Sequence, residues 1–202
     1  MKKILLLSLL SFSLFAQYDA DATPYNIALQ KANHALHELH SMIRGNMQAE
    51  KQKGGILSTA KFCANESYAN IEGLNKELEE GVSIKRVSLA NRNPKSYPAE
   101  DEKKVLEAFT LLADSLSYLP HEIVQLKEDG VYKIYFPSVM SSKNCKACHG
   151  LANQTNTEVQ QFMKKRYPND KAFGFKTGQI RGAVIVTVQP SVYLKNNTID
   201  SK

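Results

Sequence analysis

Val131-Tyr132-Lys133-Ile134-Tyr135-Phe136 follows Asp129-Gly130 and runs on to Cys145-Lys146-Ala147-Cys148-His149. Glu122 to Lys127 and Val131 to Phe136 carry β-branched and aromatic residues on both sides of Asp129-Gly130, the pattern of a β-hairpin. The second strand leads straight into the Cys-x-x-Cys-His spelling of covalent c-type haem attachment. Cys145 and Cys148 supply two thiols that each add across a haem vinyl group, and His149 is then held beneath the iron as its proximal ligand. Two other readings fit less well. A thioredoxin-like redox pair wants a βαβ context and no following His, and a structural zinc site wants a second Cys/His pair that the chain lacks.

Outward from this stretch, secondary structure is legible from periodicity. Thr23-Pro24 reads as an N-cap with Pro at the first helical position. Ala28, Ala32, Ala35, Leu36, Leu39, Ile43 and Met47 then recur at helical spacing to about Lys51. Gly54-Gly55 breaks the pattern, and Ile56, Ala60, Cys63, Ser67, Ile71 and Leu74 mark the inner face of a second helix. Val82 to Leu89 is strand-like, Asn91 to Pro98 is a loop, and a helix holds Val105, Leu106, Phe109 and Leu112. After the haem motif, Thr155 with Glu158 predicts a capping box for a helix containing Val159, Phe162 and Met163. Arg181 to Val188 is a clear strand. Strands gathered mostly behind two N-terminal helices predict an α+β domain with an antiparallel sheet, not the small all-helical architecture of ordinary cytochromes c.

The N-terminus bears on compartment. Lys2-Lys3, an apolar run from Ile4 to Leu10 continued to Phe15, and Ala16 before Gln17 read as a secretory signal peptide over residues 1–16, placing the mature chain in the periplasm. The run is short for a membrane span, though an uncleaved anchor is the other reading; no later stretch approaches the roughly 20 apolar residues a span needs. The formal charge of +6 falls by two with Lys2 and Lys3. Lys164-Lys165-Arg166 is the only tight basic run and suits a helix C-terminus better than nucleic acid. The segments expected are a leader (1–16), a long N-terminal helix (17–53), a haem-binding domain (54–190) and a C-terminal tail (191–202). Once one haem c takes two of the three cysteines, Cys63 is left over, facing inward either as an inert core thiol or as an iron ligand. His34, His37 and His40, three apart on one helix, are rival ligands or solvated residues. Arg86 and Arg92 are candidates for bidentate pairing with the haem propionates.

Ser83-Ile84-Lys85-Arg86-Val87-Ser88-Leu89 with Asn91-Arg92-Asn93-Pro94, the segment Val131 to Gly150, and Tyr167-Pro168-Asn169-Asp170-Lys171-Ala172 with Gly174-Phe175-Lys176 and Arg181-Gly182-Ala183 resemble the Tll-like family of single-haem c-type domains, formerly a domain of unknown function. The likeness covers about Gly54 to Val188. It implies a PAS-like antiparallel sheet with flanking helices, and a thiolate from the second helix as sixth iron ligand opposite His149; Cys63 stands at that position. The expectation is a periplasmic redox or gas sensor acting on a separate protein partner, with a diatomic gas entering on reduction. The alternative is a periplasmic electron carrier. No acid/base constellation beside the motif points to an enzyme.

Overall fold

Thr23 Oγ1 accepts a hydrogen bond from Asn26 N at 3.2 Å and Pro24 opens helix α1 (Pro24–Asn65), as the sequence predicts. The computed structural model describes residues 23–115, 118–141 and 143–194, so the leader read over residues 1–16 lies outside the described residues. Inside α1, Gly54 and Gly55 leave helical geometry, with Gly55 at φ 67°, a left-handed value suited to glycine. The residues twelve apart at this point would be about 18 Å apart along a straight helix. Instead Thr59 Oγ1 donates to Met47 O at 3.4 Å and Ser58 Oγ to Glu50 Oε2 at 2.6 Å. The helix therefore folds back into two arms at the predicted break.

The second arm ends earlier than periodicity suggests. Glu66 leaves the helical path at φ −117°, and α2 (Ser67–Glu77) continues as a separate helix. No Gly or Pro marks this break; Ser67 Oγ donates to Cys63 O at 2.6 Å across it. Asn75 then joins α2 to the sheet, its Nδ2 donating to Ile84 O and its Oδ1 accepting from Ile84 N.

Four antiparallel strands, β1 (Val82–Val87), β2 (Ile123–Leu126), β3 (Tyr132–Val139) and β4 (Ile180–Val188), lie in the order β1-β4-β3-β2. The α+β class, the antiparallel sheet and the long N-terminal helix are all present. β3 outruns β2, so Pro137, which has no N–H to give, sits where only β4 pairs with the strand. Beneath α1 the sheet presents Val82, Ile84, Tyr132, Ile134, Phe136, Val184, Val186 and Val188 to Ile27, Ala28, Ala32, Ala35 and Leu39. The alanines keep the helix close, and the apolar area removed from water supplies most of the driving force.

Helix α3 (Glu100–Asp114) covers the opposite face, where Val105, Leu106 and Phe109 pack on Val87, Tyr135, Ala183 and Ile185. Glu102, 1% exposed, accepts from Ala99 N, Lys85 and Lys133 and thereby fastens α3 to β1 and β3. A short helix, α6 by chain order (Pro190–Leu194), buries Val192 and Tyr193 in the same core as α1. The tail expected from residue 191 is thus, in its first four residues, part of the fold. Tyr193 Oη also donates to Gly130 O at 2.7 Å, bracing the hairpin turn.

Helix α4 (Lys143–His149) carries the haem motif and α5 (Thr157–Arg166) follows it. The cap of α5 differs from expectation. Asn156, not Thr155, accepts from Val159 N at 3.1 Å, while buried Thr155 donates to the carbonyls of Gly150 and Leu151 at the end of α4. The Thr155 hydroxyl is claimed by orphan carbonyls of the preceding helix, leaving the α5 cap to its neighbour.

Candidate haem-attachment site

Helix α4 is held at its C-terminal end by a strap, residues 170–175. Gly174 N donates to Gly150 O and Phe175 N to His149 O, both at 3.0 Å, satisfying carbonyls that the helix leaves open. Gly150 has no room for a side chain, since a Cβ there would lie 2.7 Å from Lys146 O. The strap also fixes the histidine. His149 Nδ1 donates to Ala172 O at 2.8 Å, Ala172 N donates to Asp170 Oδ1 at 2.8 Å, and Asp170 Oδ2 accepts from Arg92 Nε at 2.6 Å. A carbonyl on Nδ1 selects the tautomer whose lone pair is on Nε2, the arrangement a metal-ligating imidazole uses. Burial holds His149 well below its ordinary pKa, and the Arg181 and Arg92 charges push the same way, so the ring is neutral. These features fit a haem-iron ligand.

The cysteines stand around it. Cys63, Cys145 and Cys148 form no disulfide with one another, and each is partly buried. Cys148 packs with Ala60, Ala64, Val159 and Met163, so α4, α5 and the second arm of α1 share one small apolar cluster. Cys63 comes from that arm, between Ala60 and Ala64, within electrostatic reach of Cys148 and of Arg86, Arg181 and Arg92. Burial pushes the Cys148 thiol up to about 11, with Cys63 adding to the shift. Burial also raises Cys63, and the three arginines pull it back down. The thiol left over by the motif therefore lies near the motif, on the arm against which Cys148 packs. Tyr167 Oη steadies this arm by donating to Ala64 O at 2.8 Å.

His34, His37 and His40, by contrast, are exposed on the first arm of α1. Arg92 spends its donors inside the protein: Nε on Asp170, and Nη2 on Cys148 O at 2.9 Å and Ala172 O at 3.5 Å, with its guanidinium 4.7 Å from the Phe173 ring centroid. It ties the motif to the strap. Arg86 ends the inner row of β1 and, among the described residues, has neither hydrogen bond nor ion pair.

Arg181 is the site residue that sequence periodicity missed. Its Nη1 lies 3.0 Å from His149 Nε2. Strand alternation would send Arg181 to the α3 face with Ala183 and Ile185. The register breaks here, however: Ser138 pairs with Gly182 and Val139 with Ile180, so Arg181 is the extra residue of a β-bulge. The bulge re-aims it toward α4, while Ser88 Oγ holds its carbonyl at 2.5 Å. Burial, with Arg86 adding, lowers its pKa to about 10. An arginine within an otherwise apolar strand, just before a glycine, was the available signal.

A family model described as Tll0287-like matches residues 21–189. The crystal structure of the cyanobacterial heme-protein Tll0287 is similar to this chain, with 23% identity, a TM-score of 0.59, and coverage of 80% of this chain and 94% of that one. At that identity the likeness bears on the fold. No curated protein matches the sequence.

Proposed function

This chain belongs to the Tll0287-like family, and from that premise we propose that it is a single-haem c-type protein. In this reading Cys145 and Cys148 form the thioethers, His149 is the proximal ligand and Cys63 the distal one. The protein serves in the periplasm as a redox or gas sensor for a separate partner. One observation carries the reading: the thiol left over by the Cys-x-x-Cys-His motif lies beside that motif, next to a histidine whose Nε2 lone pair is set by the Ala172 carbonyl. A heme-protein among the solved structures of the same fold supports it.

Haem, when bound, supplies a one-electron couple and an iron that a thiolate biases toward the ferric state. The protein's residues divide into a fixed side and a responsive side. His149 is fixed through Ala172, Asp170 and Arg92, a chain of short hydrogen bonds ending in an ion pair that is nearly dry on both sides. Cys63 lies on a helical arm bounded by the Gly54-Gly55 turn and the break at Glu66. Displacement of that thiol is transmitted along the arm to the fold-back and the long first arm, a surface on which a partner reads the change.

The test is absorption and electron paramagnetic resonance spectra of the matured holoprotein, oxidised and reduced with and without carbon monoxide, beside Cys63→Ala. A low-spin thiolate signature lost in Cys63→Ala with covalent haem retained supports the reading. Identical spectra for the two proteins refute Cys63 as ligand. An electron-carrier reading is favoured by a different observation: an open groove of about 490 Å³ near the strap carries Lys95 and Arg166 beside Tyr68 and Tyr167, a cationic surface suited to an acidic redox partner. A ferrous form that keeps both ligands and ignores carbon monoxide selects the carrier.

A further inference from the structure

Two guanidinium groups at this site have no anionic partner among the described residues. Arg181 lies beside His149, half-buried like Arg86, and neither has a carboxylate partner among the described residues. Asp170, the acid on the strap, is taken by Arg92. Even partial removal of a cation from water is unfavourable without an anion to meet it. The bulge at Ser138/Val139 nevertheless aims Arg181 inward, and the inner row of β1 places Arg86 beyond Ile84 on the same side. The two cations also repel each other at this range. The neutral contact of Arg181 with His149 Nε2 does not offset the missing charge, and that lone pair is the one an iron ion takes.

We infer that Arg181 and Arg86 are the carboxylate-recognising pair of this pocket, positioned to neutralise the propionate groups of a bound haem, while Arg92 is withdrawn into the scaffold. The inference rests on the haem reading above and assigns Arg181 a role that the motif and its ligands do not cover. Arg suits the task because its fork donates two parallel hydrogen bonds to one carboxylate, so Lys replaces its charge but not its geometry. Fixed positive charge near the iron also favours the more negative, reduced form, which ties the pair to the reduction potential.

The experiment uses the matured holoprotein and its variants Arg181→Gln, Arg181→Lys and Arg86→Gln. It reads covalent haem by staining, the propionate-bending band by resonance Raman spectroscopy, and the midpoint potential. The expected result is covalent haem in every protein, a displaced propionate band and a lower midpoint potential in both Gln variants, and a potential nearer wild type in Arg181→Lys. A propionate band at its wild-type position in both Gln variants overturns the inference. A fallen potential without a displaced band overturns it too, because the cations then act on the iron and its thiolate alone. Should Arg181→Gln fail to mature, Arg86→Gln and Arg181→Lys supply the same comparison. Wild-type protein that stains for no haem defeats the proposed function, and this inference with it.

Discussion

Val82, Val188 and Tyr132 form one end of the sheet face beneath α1, whereas Gly182 and Ser138 lie at the other. Between them the rows run Ile84, Val186 and Ile134, then Arg86, Val184 and Phe136. At the first end every inward residue is apolar and meets Val192, Tyr193 and the alanines of α1, so cohesion there is packing. Toward the second end side chains become charged or small, the ladder bulges, and cohesion passes to hydrogen bonds and an ion pair around α4. A single sheet thus has a rigid apolar half and a polar half that leaves room for chemistry. The difference lies in the identity of every second residue along two strands.

The sharpest way to break this comparison is at Arg92. Arg92 and Asp170 are 11% and 4% exposed, so Arg92→Met leaves a buried carboxylate alone and removes the tie to Cys148 O. A loss of about 3–5 kcal/mol is expected, read by chemical denaturation. Faster amide exchange should be confined to α4 and the strap. Uniform loosening of the sheet would show the two halves to be one. Ile134→Ala probes the apolar half. Ile134 is fully buried, so truncation should cost about 2–4 kcal/mol while the spectrum of the holoprotein stays unchanged.

Gly182 stands at the border between the halves. A Cβ there would sit 2.2 Å from Val87 O, and backbone cannot yield as a side-chain tip does. Gly182→Ala is expected to part β1 from β4 locally, at about 1–3 kcal/mol, with a lower melting temperature and weakened exchange protection at Val87. Asp101, on the α3 side, gives the smallest effect. Hydrogen bonds from Lys133 and Lys127 hold its carboxyl at about 2, below its ordinary 3.8. A depressed acid carries fewer protons folded than unfolded, so its contribution is present above pH 3.8 and lost as pH falls toward 2. Asp101→Asn should flatten that acid limb by under about 1 kcal/mol, since the carboxylate is a third exposed and screened.

Much of this was legible in the sequence because it depends on neighbours along the chain. Strand-like composition and the Asp129-Gly130 hairpin signal located the four described strands, Thr23-Pro24 located the first cap, and the glycine pair located the fold-back. The motif and the inward face of Cys63 follow from spacing alone. What escaped depends on partners distant in sequence. The break at Glu66 carries no helix-breaking residue, and the choice of Asn156 over Thr155 as cap was made by the carbonyls of α4. Arg92 looked free until Asp170, far along the chain, was folded against it. Arg181 read only as the start of a strand whose alternation points it to the α3 face, and only the mismatch in register between β3 and β4 turned it toward His149.

The strand order β1-β4-β3-β2 also sets a timetable. Among the described residues, the last strand in sequence is an interior strand of the sheet, and β1 pairs with no strand but that one. Pairing of Val82 with Val188 closes a long loop, and such distant contacts form slowly. A nascent chain therefore holds its hairpin and its thiols ready while the sheet is still in two pieces. The strap, the bulge and Arg181 arrive together at the end, so the pocket is completed in the same event that makes the protein cohere.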